Sequence, residues 1–354
     1  MKLTLYQLNL PLAYEFTIAR GSITTQPSMV VKLEHEGLSG YGEVTENAFY
    51  GHTFDSMTAS LKKIVPRLED YVAQSPMELW PKMHSLIDGD MFALSALDIA
   101  AHDLRGRQKG IPTWQDWDLE WKNVPHSSYT IGIDTIGNMV AKLHELPDWS
   151  IYKIKLGTVH DIEIVTELRK HTDAIFRVDA NCGWTVEEAI RNSKILADLN
   201  IEFIEQPLPI TAAREDKSRL AVESALPIIA DEDCQTVPDV GRCAGLFHGV
   251  NVKICKCGGL TPAIGMLRNA RQLSMKTMVG CMVESSIGIS GAAQLLPLLD
   301  YADLDGAVLL KDEPARGATV IDGRVTLSEL PGCGGELLTE KLDSYLIRAK
   351  EVLC

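Results

Sequence analysis

Between residues 128 and 305 the chain repeats one beat. Short runs rich in β-formers, at 128–133, 152–156, 175–181, 203–206, 227–231, 250–256, 277–282 and 301–305, start about 25 residues apart and alternate with helical stretches. Two of those stretches, 186–199 and 262–273, are amphipathic, and Thr185 with Glu188 supplies a capping-box spacing ahead of the first. Eight strands with seven intervening helices predict an α/β fold, a (β/α)7β TIM-like barrel over residues 113–310. An open doubly wound sheet is the alternative, but it rarely needs eight regular units. The flanks read differently. Alternating runs at 1–10 and 29–36, a turn at 36–40 and a third run at 41–44 predict strands, and a helical period follows from Asp55 to Gly110. Small residues at 95–104 suit close helix packing, and Gly110-Ile111-Pro112 ends the run. Residues 1–112 are therefore expected to form an α+β capping domain. Residues 311–354, with a run at 320–327 and a glycine-rich stretch at 331–335, are expected to return to it.

Bulk properties narrow the function. With 354 residues and a net charge of −14, the chain shows no basic face for nucleic acid or an anionic membrane. Residues 1–12 lack the apolar core and cleavage site of a signal peptide, and no stretch approaches the roughly 18 apolar residues of a membrane span. Eight scattered cysteines suggest neither a disulfide framework nor a zinc site, so reduced thiols in the cytoplasm are expected.

The ends of the barrel strands carry the chemistry. Lys155 ends the second, Asp179 the third, Glu205 the fourth, Asp231 the fifth and Lys256 the sixth. Glu284 follows the seventh, and Asp303 and Asp305 lie on the eighth. In a barrel these ends form one mouth. Three carboxylates converging there repel one another unless a cation joins them, and an all-oxygen set with room for water suits Mg²⁺. Pairing of each carboxylate with a rim lysine is the plainer alternative. Lys155 and Lys256, on opposite sides of the ring, are placed to remove a proton from one face of a carbon and return one to the other. Lys153 shares a strand face with Lys155 and would lower its pKa. Lys253, at odd spacing from Lys256, is expected to face the helix layer or solvent.

Lys153-Ile154-Lys155, Val178-Asp179-Ala180-Asn181, Ile204-Glu205-Gln206-Pro207, Ala230-Asp231-Glu232 and the segment 251–259 resemble the enolase superfamily. Within it they resemble the branch of muconate-lactonising enzymes and dipeptide epimerases, over essentially the whole chain. The resemblance implies Mg²⁺, one per subunit, on Asp179, Glu205 and Asp231, with Lys155 and Lys256 as acid/base catalysts. Lys153 would position a substrate carboxylate, and a homo-oligomer is expected. The superfamily's pattern of a Lys or His base with Mg²⁺ is a standard example in its own right. Asp303-Leu304-Asp305 looks like the Asp-x-Asp motif of dipeptide epimerases, suited to holding an α-ammonium group; a helix N-cap is its alternative. Thr130 resembles a substrate-contacting threonine, and Cys281 and Glu284 sit where substrate should pass. Arg20 stands in a capping loop from which related enzymes reach a glutamate side chain. Ile23, where some of them have arginine, keeps a hydrophobic dipeptide open. The implied activity is epimerisation of a dipeptide. Cycloisomerase, N-acylamino-acid racemase or o-succinylbenzoate synthase chemistry on the same site, a Schiff-base aldolase and an inactive barrel used for binding are the alternatives.

Overall fold

The computed structural model describes residues 1–18, 21–48, 50–87 and 89–352. Two strands dominate the first part. Lys2–Ile18 and Gly21–His35 pair antiparallel, Leu38–Thr45 adds to one side, and the late strand Leu346–Val352 adds to the other. Alternation along these strands buries both faces of the sheet. Leu3, Leu5, Met29, Val31 and Leu33 pack on helices that include Phe54–Ile64 and Met91–Lys109, whereas Leu8, Leu10 and Val30 pack on Val283 and Ile287 of the barrel. The helix Met91–Lys109 is buried along most of its length. It lies so close to strand Leu38–Thr45 that a Cβ at Gly42 would run into the Ala96 carbonyl.

The barrel strands are Tyr129–Ile131, Ile151–Lys155, Ile175–Asp179, Ile201–Glu205, Ile228–Ala230, Gly249–Val252, Lys276–Gly280 and Tyr301–Asp303, parallel and in sequential order. Ser127 bridges to Ala302 and Ser128 N donates to Ala302 O at 3.2 Å, which brings the last strand back to the first. Among the described residues a helix follows each of the first seven strands, and the helix Val186–Ala197 carries the predicted capping box at Thr185 and Glu188. The eighth strand leads back to the antiparallel sheet. No described helix is long and apolar enough to cross a membrane.

Inside the ring, Arg177 is fully buried between the rings of Phe203 and Tyr301 and donates to Ala302 O at 2.8 Å. This layer floors the mouth. At the opposite end the first hairpin is tied down on two sides: Ala13 N donates to Leu309 O and Ile133 N to Thr17 O, both at 2.9 Å. The hairpin thus reaches over the strand ends that carry the ionisable groups.

Two sequence expectations change here. The sixth strand stops at Val252, and residues Ile254–Cys257 form a helical turn in place of more strand. The run at 320–327 does not return to the capping sheet. It forms the hairpin Thr319–Ile321 with Arg324–Thr326, whose Gly323 O accepts from Ser127 N at 2.7 Å and whose Val320 and Val325 join the barrel core. The glycine-rich stretch does dock on the capping helix, where Cys333 N and Gly334 N donate to Asp103.

Candidate active site

Successive inward positions of the barrel strands build the site in two layers, because side chains two residues apart share a face. Below lie Lys153, Arg177, Phe203, Ile229 and Asn251; above them lie Lys155, Asp179, Glu205, Asp231 and Lys253. Oxygens of Asp179, Glu205 and Asp231 lie within 4.8 Å of one another, and all three residues are buried. Lys155 Nζ is 2.7 Å from Asp179 Oδ2. Lys153 Nζ reaches Asp303 Oδ2 at 2.8 Å, Asp179 Oδ2 at 3.3 Å and Glu205 Oε2 at 2.7 Å. The last is an ion pair without hydrogen-bond geometry, so Glu205 Oε2 has Lys153 as its counter-charge and accepts no hydrogen bond among the described residues. Glu205 Oε1 is held by Asn251 Nδ2 at 2.8 Å.

The electrostatics follow from burial and neighbours. Burial opposes the charge on Asp179, but Lys155 and Lys153 hold its carboxyl at about 2. Asp231 is also buried, and Lys253 and Lys256 push it well below the usual carboxylate range. Glu205 moves the other way, up to about 7, through burial and the charge of Asp179. An all-carboxylate set, its oxygens within 4.8 Å of one another and one member reluctant to ionise, is the donor chemistry a hard divalent cation relieves, and these residues fit Mg²⁺.

Residues 138–341 match the family described as "Enolase C-terminal domain-like", and residues 1–116 match "Mandelate racemase / muconate lactonizing enzyme, N-terminal domain". This chain belongs to the enolase superfamily. It is 51% identical over 96% of its length to all of the L-Ala-D/L-amino acid epimerase of Flavobacterium johnsoniae. It is 44% identical over 94% of its length to 98% of the enzyme of the same name from a Maribacter strain. Its fold superposes on the crystal structure of a dipeptide epimerase from Cytophaga hutchinsonii, complexed with Mg and the dipeptide D-Ala-L-Val, with a TM-score of 0.90, 25% identity and 99% of each chain covered.

The remaining candidates of this superfamily member divide. Thr130 and Asp303 come together, with Asp303 Oδ1 accepting from Ser128 Oγ at 2.7 Å and Thr130 Oγ1 at 3.4 Å. Asp305 Oδ2 accepts from Thr130 N at 2.5 Å, and Cys281 Sγ lies 3.9 Å from Asp305 Oδ1. Asp305 is pushed up to about 7 by burial and by Asp303. Glu284 lies beside this group, close enough for its charge to act on Cys281. Its Oε1 accepts from Met282 N at 3.0 Å, and burial with Glu43 as neighbour pushes it up to about 8. A cavity of about 280 Å³ beneath the first hairpin is walled by Phe16, Tyr129 and Val308 and meets the site only at Thr130. Arg20 lies outside the described residues. Ile23, on the hairpin opposite Phe16, is exposed.

Lys253 requires a correction. It does not face the helix layer or solvent: its side chain is only 11% exposed, and its Nζ is 3.0 Å from Asp231 Oδ2. Its spacing from Lys256 was misleading because the backbone turns helical at Ile254, so alternation must be counted back to the inward-facing Asn251. Lys256 also reaches Asp231, through the carboxylate Oδ1 and, at 2.7 Å, the backbone carbonyl. Burial opposes charge on Lys153, Lys253 and Lys256, but the surrounding carboxylates prevail and raise all three above the ordinary lysine value. Asn251 and Ser128 were missed as well. Ser128 lies two residues before the candidate Thr130, and that spacing was an available signal; Asn251 is two residues from Lys253, which had been assigned to the wrong face.

Proposed function

We propose that this chain is a Mg²⁺-dependent dipeptide epimerase that inverts the α-carbon of the C-terminal residue of an L-Ala-X dipeptide. One observation carries the reading. Three buried carboxylates sit between lysines from opposite strands, with a second carboxylate pair, Asp303 and Asp305, on a third side. One Mg²⁺ per subunit, held by Asp179, Glu205 and Asp231, would supply a Lewis acid for the substrate carboxylate.

The chain's own residues do the rest. A neutral lysine on one side takes the α-proton, and the electron pair of that C–H bond moves onto the substrate carboxylate. An ammonium on the other side returns a proton to the opposite face, so atoms and charge balance. Lys155 is one of the two. For the other we propose Lys253 in place of Lys256: it ends an inward series, and its charge is felt across the mouth by Glu205 and Lys153. Lys256, which also bonds the Asp231 backbone, then serves to hold Asp231. Asp303 and Asp305 take the α-ammonium of the N-terminal residue through charge-assisted hydrogen bonds. The described cysteines are free thiols, which supports a reducing, cytoplasmic setting.

The test is α-proton exchange in D₂O with Mg²⁺ across L-Ala-X dipeptides, read by mass. A one-dalton gain at X with epimerisation is expected. Exchange only with N-acylamino acids would overturn the dipeptide reading. Lys253→Ala should leave exchange with retention for one epimer and none for the other. If Lys256→Ala does this and Lys253→Ala does not, the second base is Lys256.

A further inference from the structure

The lysine turn of the sixth strand is fastened to the capping unit. The helix Leu260–Gln272 begins at Gly259, which has no side chain to cap it. Its exposed amides are met from the other unit: Asp98, on helix Met91–Lys109, accepts from Thr261 N at 2.8 Å and Thr261 Oγ1 at 2.9 Å, and from Leu260 N as well. His102, one turn along, completes the set with Nε2 at 2.9 Å from Thr261 Oγ1. The fit is close enough that a Cβ at Gly259 would overlap the Asp98 carboxylate. A second tie lies just before it, where Trp80 Nε1 donates to Gly258 O at 2.7 Å. Cys255, between the two lysines, is buried in the capping unit's hydrophobic core.

Between Lys253 and these ties there is little slack. Lys256 N donates to Lys253 O at 3.0 Å, and Gly258 N and Gly259 N donate to Ile254 O at 3.1 and 3.0 Å. The stretch from Lys253 to Thr261 is one compact unit, gripped at one end by Asp231 and at the other by Asp98 and Trp80. We infer that Asp98 is a positioning residue for the proton-transfer lysine of the sixth strand, setting its reach by capping helix Leu260–Gln272 from the capping unit. The inference rests on the epimerase reading, and it concerns only one of the two lysines. Lys155 belongs to the second strand, and its bond runs to Asp179.

That asymmetry makes the test. Each epimer of an L-Ala-X dipeptide is incubated separately in D₂O with Mg²⁺ and the full-length chain, and α-proton exchange is followed by mass. Asp98→Ala, which removes the acceptor of Thr261 N, Thr261 Oγ1 and Leu260 N, should slow exchange of one epimer by about tenfold to a hundredfold, the scale of a misplacement near 1 Å. The other epimer should exchange within about twofold of the parent rate. Trp80→Phe, which keeps the ring and loses only the donor to Gly258 O, should give the same asymmetry to a smaller degree. Thr261→Ser, which keeps both bonds to Asp98, should match the parent. Equal slowing of both epimers in both variants, or no slowing, overturns the inference while leaving the epimerase reading intact. A parent that exchanges neither epimer overturns both.

Discussion

Two groups of buried carboxylates in this molecule are satisfied in two different ways. At the barrel mouth Asp179, Glu205, Asp231 and Asp303 face ammonium groups of Lys153, Lys155, Lys253 and Lys256. Between capping unit and barrel, Glu43, Asp98 and Asp103 face mainly backbone amides. Glu43 accepts from Ser285 N and Gly288 N at 3.1 Å, and from Ser28 Oγ at 2.7 Å. Asp103 accepts from Tyr41 N at 2.8 Å and Cys333 N at 2.7 Å, with Arg107 beside it. Backbone amides cannot leave, so the second kind of site fixes geometry. Lysine side chains can rotate away, so the first kind can exchange its partners for a cation and a substrate. Burial is the same in both, and partner mobility separates a reaction centre from a clamp.

The largest test of that division is Lys155→Ala. Removing a proton-transfer group should cut epimerisation by about 10²–10⁴-fold. The unfolding midpoint should stay near that of the parent, since the carboxylates left behind can still take Mg²⁺. Parallel loss of activity and stability would put Lys155 among the clamps. Next in size is Glu43→Ala, which strips the acceptors from the start of helix Ser286–Ala293. Several buried donors then lack partners, and a loss of about 2–4 kcal/mol in denaturant unfolding is expected, with turnover per folded molecule nearly unchanged. A collapse in turnover at full stability would instead make Glu43 part of the reaction centre.

Much of the mouth was legible in the sequence because most of its residues obey a local rule. Lys155, Asp179 and Glu205 end strands whose β-runs are visible, and alternation supplies the inward face. Lys253 was lost where that rule breaks, at the switch from strand to helical turn after Val252. The clamps left no such mark. Asp98 and Asp103 lie in a segment read only as closely packed helix, and their partners are 163 and 230 residues away. A carboxylate that caps a distant helix looks, in sequence, like any acid on a helix. The hairpin around Gly323 failed for a related reason: alternation announces a strand, but the barrel end it closes is fixed by Ser127, far off in the chain.

Glu284 sits on the border between the two kinds, and its titration can assign it. Burial and Glu43 hold its folded pKa at about 8, above the 4.5 of an unperturbed glutamate. The folded chain therefore keeps a proton that the unfolded chain releases, and this contribution to stability is lost as pH rises from about 4.5 to about 8. Glu284→Gln removes the titrating carboxyl and keeps an acceptor for Met282 N. Relative to the parent, the variant should gain about 1.4 kcal/mol per pH unit across that window, measured as unfolding free energy at pH 5 and pH 8. Parallel curves would mean that Glu284 stays ionised and belongs with the mouth.

The smallest effect comes from a cap of the ordinary kind, on the barrel's outer layer. Thr185 Oγ1 accepts from Glu188 N at 3.3 Å, and the Glu188 carboxylate accepts from Thr185 N at 2.8 Å, all within one helix start facing solvent. Water can replace either partner there. Thr185→Ala should therefore cost only about 1 kcal/mol, with no change in turnover. The same hydrogen-bonding pattern is used at Asp98 and Glu43, where water has no access and the donors belong to another part of the fold. If Thr185→Ala proved as costly as Glu43→Ala, the strength of the clamps would have to come from helix capping itself, and the burial that distinguishes them would count for nothing.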